Sequence, residues 1–92
     1  MTFAVCDRPE LNRYELIVDD HVIGVAEYRR SGDVVVLPHT IIEASKRGRG
    51  WGEFLVKEAL EDLRRQDVRV QPRCWFVAEF IEQHPEYMDL LA

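Results

Sequence analysis

The chain has 92 residues with a hydrophobic content of 47%, enough for one small packed domain over 1–92 and too few for a second. Its 12 Lys and Arg against 17 Asp and Glu leave a formal charge of -5, which argues against nucleic acid as a partner, because such binding relies on neutralising phosphates. Two distant cysteines, Cys6 and Cys74, do not form the disulfide framework of a small secreted domain, and the longest apolar run, Val34 to Pro38, is far too short to span a bilayer. A chain opening on Met1 is compatible with a complete product, and the expectation is a reduced cytoplasmic compartment with no membrane partner.

Met1 to Leu11 shows no sustained period, and Asp7, Pro9 and Glu10 predict an extended or loop lead-in. Arg13 to Val18 alternates, with Tyr14, Leu16 and Val18 on one face and Arg13, Glu15 and Ile17 on the other. Asp19-Asp20 reads as a turn, His21 to Arg29 as a second strand, and Arg30 to Asp33 as a second turn. The continuous branched run Val34 to Thr40 predicts a third, central strand covered on both faces. Short turns join these strands into an antiparallel meander. Pro38 lacks a backbone donor, so a bulge or break is expected there.

Leu55, Val56, Ala59, Leu60 and Leu63 recur at helical spacing, predicting a helix from about Glu53 to Arg65 with Arg64-Arg65 suited to its C-terminus. Val68-Arg69-Val70 then reads as a short strand beside Val34–Thr40, and a helix between paired strands implies a right-handed crossover and a parallel pair. Pro72 ends that strand and positions Cys74. A second amphipathic helix follows with Trp75, Phe76, Val77, Phe80 and Ile81, ending before His84-Pro85. The fold class is therefore α/β, an α+β mixed sheet.

Between the third strand and the first helix lies Ser45-Lys46-Arg47-Gly48-Arg49-Gly50-Trp51-Gly52. Strand, basic Gly-rich turn and helix together offer unpaired backbone N–H groups to an anion at a helix start. The competing reading is a flexible loop with a solvated charged surface. The pattern is neither a nucleotide-hydrolysing phosphate loop, since no Gly-Lys-Ser/Thr closes it, nor a dinucleotide fingerprint. His21, His39 and His84 have no liganding spacing, so no metal site is expected.

Arg47-x-x-Gly50-x-Gly52 resembles the Arg/Gln-x-x-Gly-x-Gly/Ala loop of the GNAT N-acetyltransferase superfamily. More closely, the chain is similar to the minimal GNAT-like domain family. That likeness rests on Arg13-Tyr14-Glu15-Leu16, Ala26-Glu27-Tyr28, His39-Thr40, the glycine loop, Leu55-Val56, Ala59-Leu60, Val70-x-Pro72-x-Cys74 and His84-Pro85-Glu86-Tyr87-x-Asp89-Leu90-Leu91. It runs from about Asn12 to Leu91. The resemblance implies a truncated GNAT fold with an antiparallel meander, crossover helix, parallel strand and C-terminal helix, and with strands splayed to admit acetyl-CoA. It implies cofactor contacts from Ile41, Ile42, Lys46, Arg47, Gly48, Arg49, Gly50, Trp51 and Gly52, with acetyl-CoA as cosubstrate and no metal.

The resemblance also assigns catalytic roles. Cys74 falls where the family places a cysteine by the acyl group, as nucleophile or as a wall of the thioester pocket. Its residue-level alternatives are a thiolate favoured by a helix start or a buried structural cysteine. His39, of the family's His-Thr pair, is the general-base candidate, and it meets Cys74 only if the third and fourth strands pair. Tyr28 and Tyr87 are candidate acids or simple packing residues. The reaction implied is acetyl transfer to a primary amine on a small molecule or protein, with the oxyanion held by a strand N–H near Ile41. The alternative is a non-catalytic acyl-CoA-binding or protein-interaction module. A monomer is expected, with a weak homodimer as the variant.

Overall fold

A computed structural model describes all 92 residues. In chain order it comprises β1 (Phe3–Arg8), β2 (Arg13–Val18), β3 (His21–Ser31), β4 (Val34–Ile42), α1 (Trp51–Arg65), β5 (Arg69–Pro72) and α2 (Trp75–Gln83), with 3₁₀ turns at Pro9–Leu11, Ala44–Lys46 and Pro85–Leu90. The five strands lie in sequence order, with antiparallel pairs except for β4 and β5, which run parallel across the α1 crossover. The β2–β3 hairpin turns on Asp19 and Asp20, both at positive φ (48° and 68°), the geometry of a two-residue turn whose twist matches its strands.

The N-terminal segment departs from the expected loop. Phe3 to Arg8 pairs along all of β2, from Phe3 opposite Val18 to Arg8 opposite Arg13. Asp7, a loop signal in isolation, instead accepts a hydrogen bond from the Tyr28 hydroxyl at 2.7 Å. Pro9 begins the 3₁₀ turn that ends the strand.

The helices share one face of the sheet, because Tyr14, Leu16, Val35, Leu37 and Val70 join the residues of α1 and α2 in a single buried cluster. Val35 and Leu37 are therefore buried while Val34 and Val36, pointing the other way, are only half-buried. The doubly covered central strand expected from the branched run is thus covered on one side. On the helix-free face Glu15 is buried between Arg8 (3.1 Å) and Arg13 (2.7 Å). Those guanidiniums hold its carboxyl below the usual range against the opposing pull of burial.

The bulge lies at Pro38. Glu27 pairs with His39 and Arg29 with Val36, so Leu37 and Pro38 of β4 oppose the single residue Tyr28. The parallel pairing with β5 ends at the same place, at Leu37 opposite Pro72. Beyond it the two strands diverge, and the Arg73 and Cys74 amides both turn back to donate to the Leu37 carbonyl (3.1 and 2.9 Å).

Candidate functional site

The divergence of β4 from β5 opens a cavity of about 880 Å³. One wall is the far end of β4, His39 to Ile42. The floor is the loop and first turn of α1, and the opposite wall is the start of α2 with Cys74, Trp75 and Phe76. Of the residues expected around the cofactor, Ile41, Ile42, Lys46, Arg47, Gly48, Gly50, Trp51 and Gly52 line this cavity. Arg49 does not; it is exposed outside the lining.

The loop is shaped by its glycines for two different reasons. Gly48 and Gly50 sit at positive φ (77° and 85°), where side chains other than glycine are strained, and the space around both is open. Gly52 is excluded from bearing a side chain by the protein itself: a Cβ would stand 2.9 Å from the Phe76 ring. Its small size lets α1 approach α2. The Arg47 guanidinium folds back and donates through Nε to the Ile42 carbonyl at 2.9 Å, tying the loop to the strand that precedes it.

The start of α1 is electrophilic and unpaired. Gly50 is the N-cap with no capping side chain, and the first helical bond runs from the Phe54 amide to the Gly50 carbonyl at 3.1 Å. No backbone N–H from Gly48 through Glu53 finds an acceptor within the chain. Six successive donors with the dipole of a 15-residue helix behind them are chemically suited to an anion. Lys46, Arg47 and Arg73 add cationic charge to the lining against the one carboxylate of Glu53, a local reversal of the chain's acidic balance. The donor set fits a pyrophosphate, and the bare end of β4 offers backbone groups to an extended amide-bearing arm.

Cys74 is the N-cap of α2, buried, with its thiol 3.8 Å from the Thr40 hydroxyl. The pairing of β4 with β5 that a His39–Cys74 meeting required is present, yet the polar neighbour of the sulfur is Thr40. The strand pleat explains this: Thr40 opposes buried Ala26 on the helix-bearing face, while His39 opposes exposed Glu27 and points the other way. His39 remains part of the cavity wall. The phenols of Tyr28 and Tyr87 are committed elsewhere, to Asp7 (2.7 Å) and Glu61 (2.6 Å), and neither residue lines this cavity.

Arg73, which the sequence offers as a cation beside Cys74, completes the wall with Trp75 and Phe76, which the sequence marks only as helix residues. Trp75 is 73% exposed, and its ring meets Phe76 edge-on at 5.8 Å. The aromatic pair directly after Cys74 was the available signal, but helical spacing reads it equally well as core.

A sequence profile described as GCN5-related N-acetyl-transferase matches residues 13–90. Protein NATD1 of Bos taurus is 33% identical over 60 residues, covering 63% of this chain and 53% of that protein. Protein NATD1 of Xenopus tropicalis is 29% identical over 74 residues, covering 77% and 68%. The chain spans about half the length of the curated mammalian relatives it matches. The solution NMR structure of a GCN5-like protein from Staphylococcus aureus superposes with a TM-score of 0.73 at 19% identity, over 97% of this chain and 87% of that one, a likeness of fold.

Proposed function

The chain belongs to the GCN5-related N-acetyltransferase family, and from that premise we propose that it transfers acetyl from acetyl-CoA to a primary amine. The observation that carries this reading is the coincidence, in one cavity, of the unpaired amides from Gly48 to Glu53 with the splayed end of β4 and Cys74. Pyrophosphate would sit on those amides, aided by Lys46 and Arg47. The pantetheine arm would run along Ile42 and Ile41, placing the thioester between Thr40 and Cys74. A β4 amide near Ile41 would then hold the developing oxyanion.

Direct transfer is the better-supported route. The amine nitrogen attacks the thioester carbonyl, the C–N bond forms, the C–S bond breaks, and the departing thiolate takes up a proton. His39, exposed on the cavity wall, can accept the proton that the ammonium sheds before attack. Cys74 serves here as a wall of the thioester pocket, since its sulfur lies against a hydroxyl and not against a base.

Two measurements test this. Titration with acetyl-CoA should shift backbone amide resonances at 41–52 and near Cys74; shifts confined elsewhere would remove the cofactor from this cavity. Cys74→Ala should keep amine acetylation, followed as free thiol release, within about threefold of the parent, as expected of a residue that only lines the pocket. A loss of a hundredfold or more with cofactor affinity intact, together with an acetyl adduct on Cys74 that forms and discharges at the turnover rate, would replace direct transfer by a covalent route. Cofactor binding without turnover of any amine would mark a binding module.

A further inference from the structure

A second hollow, of about 370 Å³, lies across β4 from the cofactor cavity. Its lining includes Asn12, Glu27, Arg29 and Pro38, and Pro38 lines both hollows. Glu27 and Arg29 are two apart on β3 and so point to the same, helix-free face. His39 shares that face as the direct cross-strand partner of Glu27, where opposite side chains lie about 5 Å apart at Cβ. The hollow and His39 are thus neighbours, with the bulge at Pro38 between the hollow and the thioester position.

The charges here are free. Glu27 and Arg29 form no ion pair with each other or with any other residue. Arg30, also in the lining, is turned away to donate to the neutral Gln66 side chain at 2.6 Å, and nearby Arg13 is paired with Glu15. The Asn12 backbone is fixed at the rim in a left-handed conformation (φ 53°), its carbonyl accepting from the Tyr28 amide at 2.9 Å.

We propose that this hollow is the acceptor site, and that the acceptor is a small primary amine carrying a carboxylate. The assignment rests on the acetyl transfer proposed above. The ammonium docks at Glu27 and the carboxylate at Arg29, which together match a zwitterion in sign and leave neither charge unpaired. The ammonium next to Glu27 is also beside His39, which takes its proton. The neutral amine then passes Pro38 to the thioester, giving the N-acetyl product, free CoA thiol and one released proton. Donor and acceptor approach from opposite sides of β4, so neither blocks the other.

The test uses glycine, β-alanine and γ-aminobutyrate against ethylamine, propylamine and butylamine, with thiol release as the rate and calorimetric CoA binding as an independent readout. The parent should prefer the carboxylated amines. Arg29→Gln should lower kcat/KM for them about tenfold or more, the worth of a charge-assisted hydrogen bond, while leaving the plain amines unchanged. Glu27→Gln should raise KM for both sets, with CoA affinity unaltered in each variant. β-Alanine alone should shift amide resonances at 12 and 27–30 and not at 48–53, a result that holds even if the cofactor reading fails. Equal rates on the two sets, an unchanged preference in Arg29→Gln, or no turnover of any amine by a chain that binds CoA would overturn the acceptor assignment and leave the cofactor site standing.

Discussion

The two ends of α1 are built on opposite plans. At the C-terminus the polar side chains and all but the last carbonyl are engaged. Gln66 donates its amide to the Asp62 and Leu63 carbonyls and its side chain to Asp62 at 2.8 Å. Arg64 grips Asp89 through two bonds (2.7 and 3.1 Å) and the Glu86 carbonyl through a third. Tyr14 and Tyr87 donate to the neighbouring carboxylates Asp62 and Glu61 (2.7 and 2.6 Å). At the N-terminus nothing is engaged: no capping side chain, two glycines at positive φ, and amides without acceptors. One helix therefore holds the fold with its body and far end, and leaves its near end free for the cofactor role proposed above. A helix start left bare forgoes about 1 kcal/mol of capping.

That division can be broken most sharply in the helix body. Leu60 is fully buried, so Leu60→Ala should cost about 3 kcal/mol, roughly 15 °C in Tm for a domain of this size, as read by thermal denaturation. The folded fraction should still bind acetyl-CoA with parental affinity. A comparable loss of affinity in folded protein would mean that the near end is not an independent unit.

The reciprocal change is Gly50→Asp. An aspartate at φ 85° is strained by only about 1 kcal/mol, but its carboxylate competes with phosphate for the amides and repels it. Affinity for acetyl-CoA, measured by calorimetry, should fall about a hundredfold, equivalent to about 2.7 kcal/mol. Unchanged affinity in a folded variant would remove pyrophosphate from this turn.

The smallest effect concerns the locked end. Tyr87→Phe deletes the bond to Glu61 and should cost about 1 kcal/mol in urea denaturation with no change in cofactor affinity. Burial, and then the bond to Glu61, push the Tyr87 phenol from 10.0 up to about 12. The unfolded chain thus loses this proton first. The contribution is complete below pH 10 and is lost as pH rises through about 12. Tyr14 and Tyr28 are raised in the same direction by burial and by Asp62 and Asp7. Stability should therefore decline above pH 10, and less steeply in Tyr87→Phe; equal slopes would deny the phenol a share in the linkage.

Local pattern carried a large part of the architecture. The 3.6-residue recurrence of Leu55, Val56, Ala59, Leu60 and Leu63 marked α1, whose five buried residues are those five. Strand periods and turn residues marked β2 to β4, and the missing donor of Pro38 marked the bulge where the strands part. The glycine loop and the cysteine after Pro72 drew attention to residues that do line one cavity.

What stayed hidden depended on partners distant in sequence. Phe3 to Arg8 becomes a strand because β2 is there to pair with it and because Tyr28 supplies a donor for Asp7. Glycine at 52 answers to Phe76, 24 positions on, and no local spacing announces that contact. Thr40 rather than His39 faces Cys74 because the pleat sends adjacent side chains to opposite faces, and only the placement of both helices on one face decides which side meets the thiol. The sequence by itself determined β2 to β4, the turns between them and α1, since those follow from backbone propensity and residue period. The tertiary structure alone decided which side chains share the cavity and which charges stand free beside it, because those depend on the packing of elements that no short window of the chain contains.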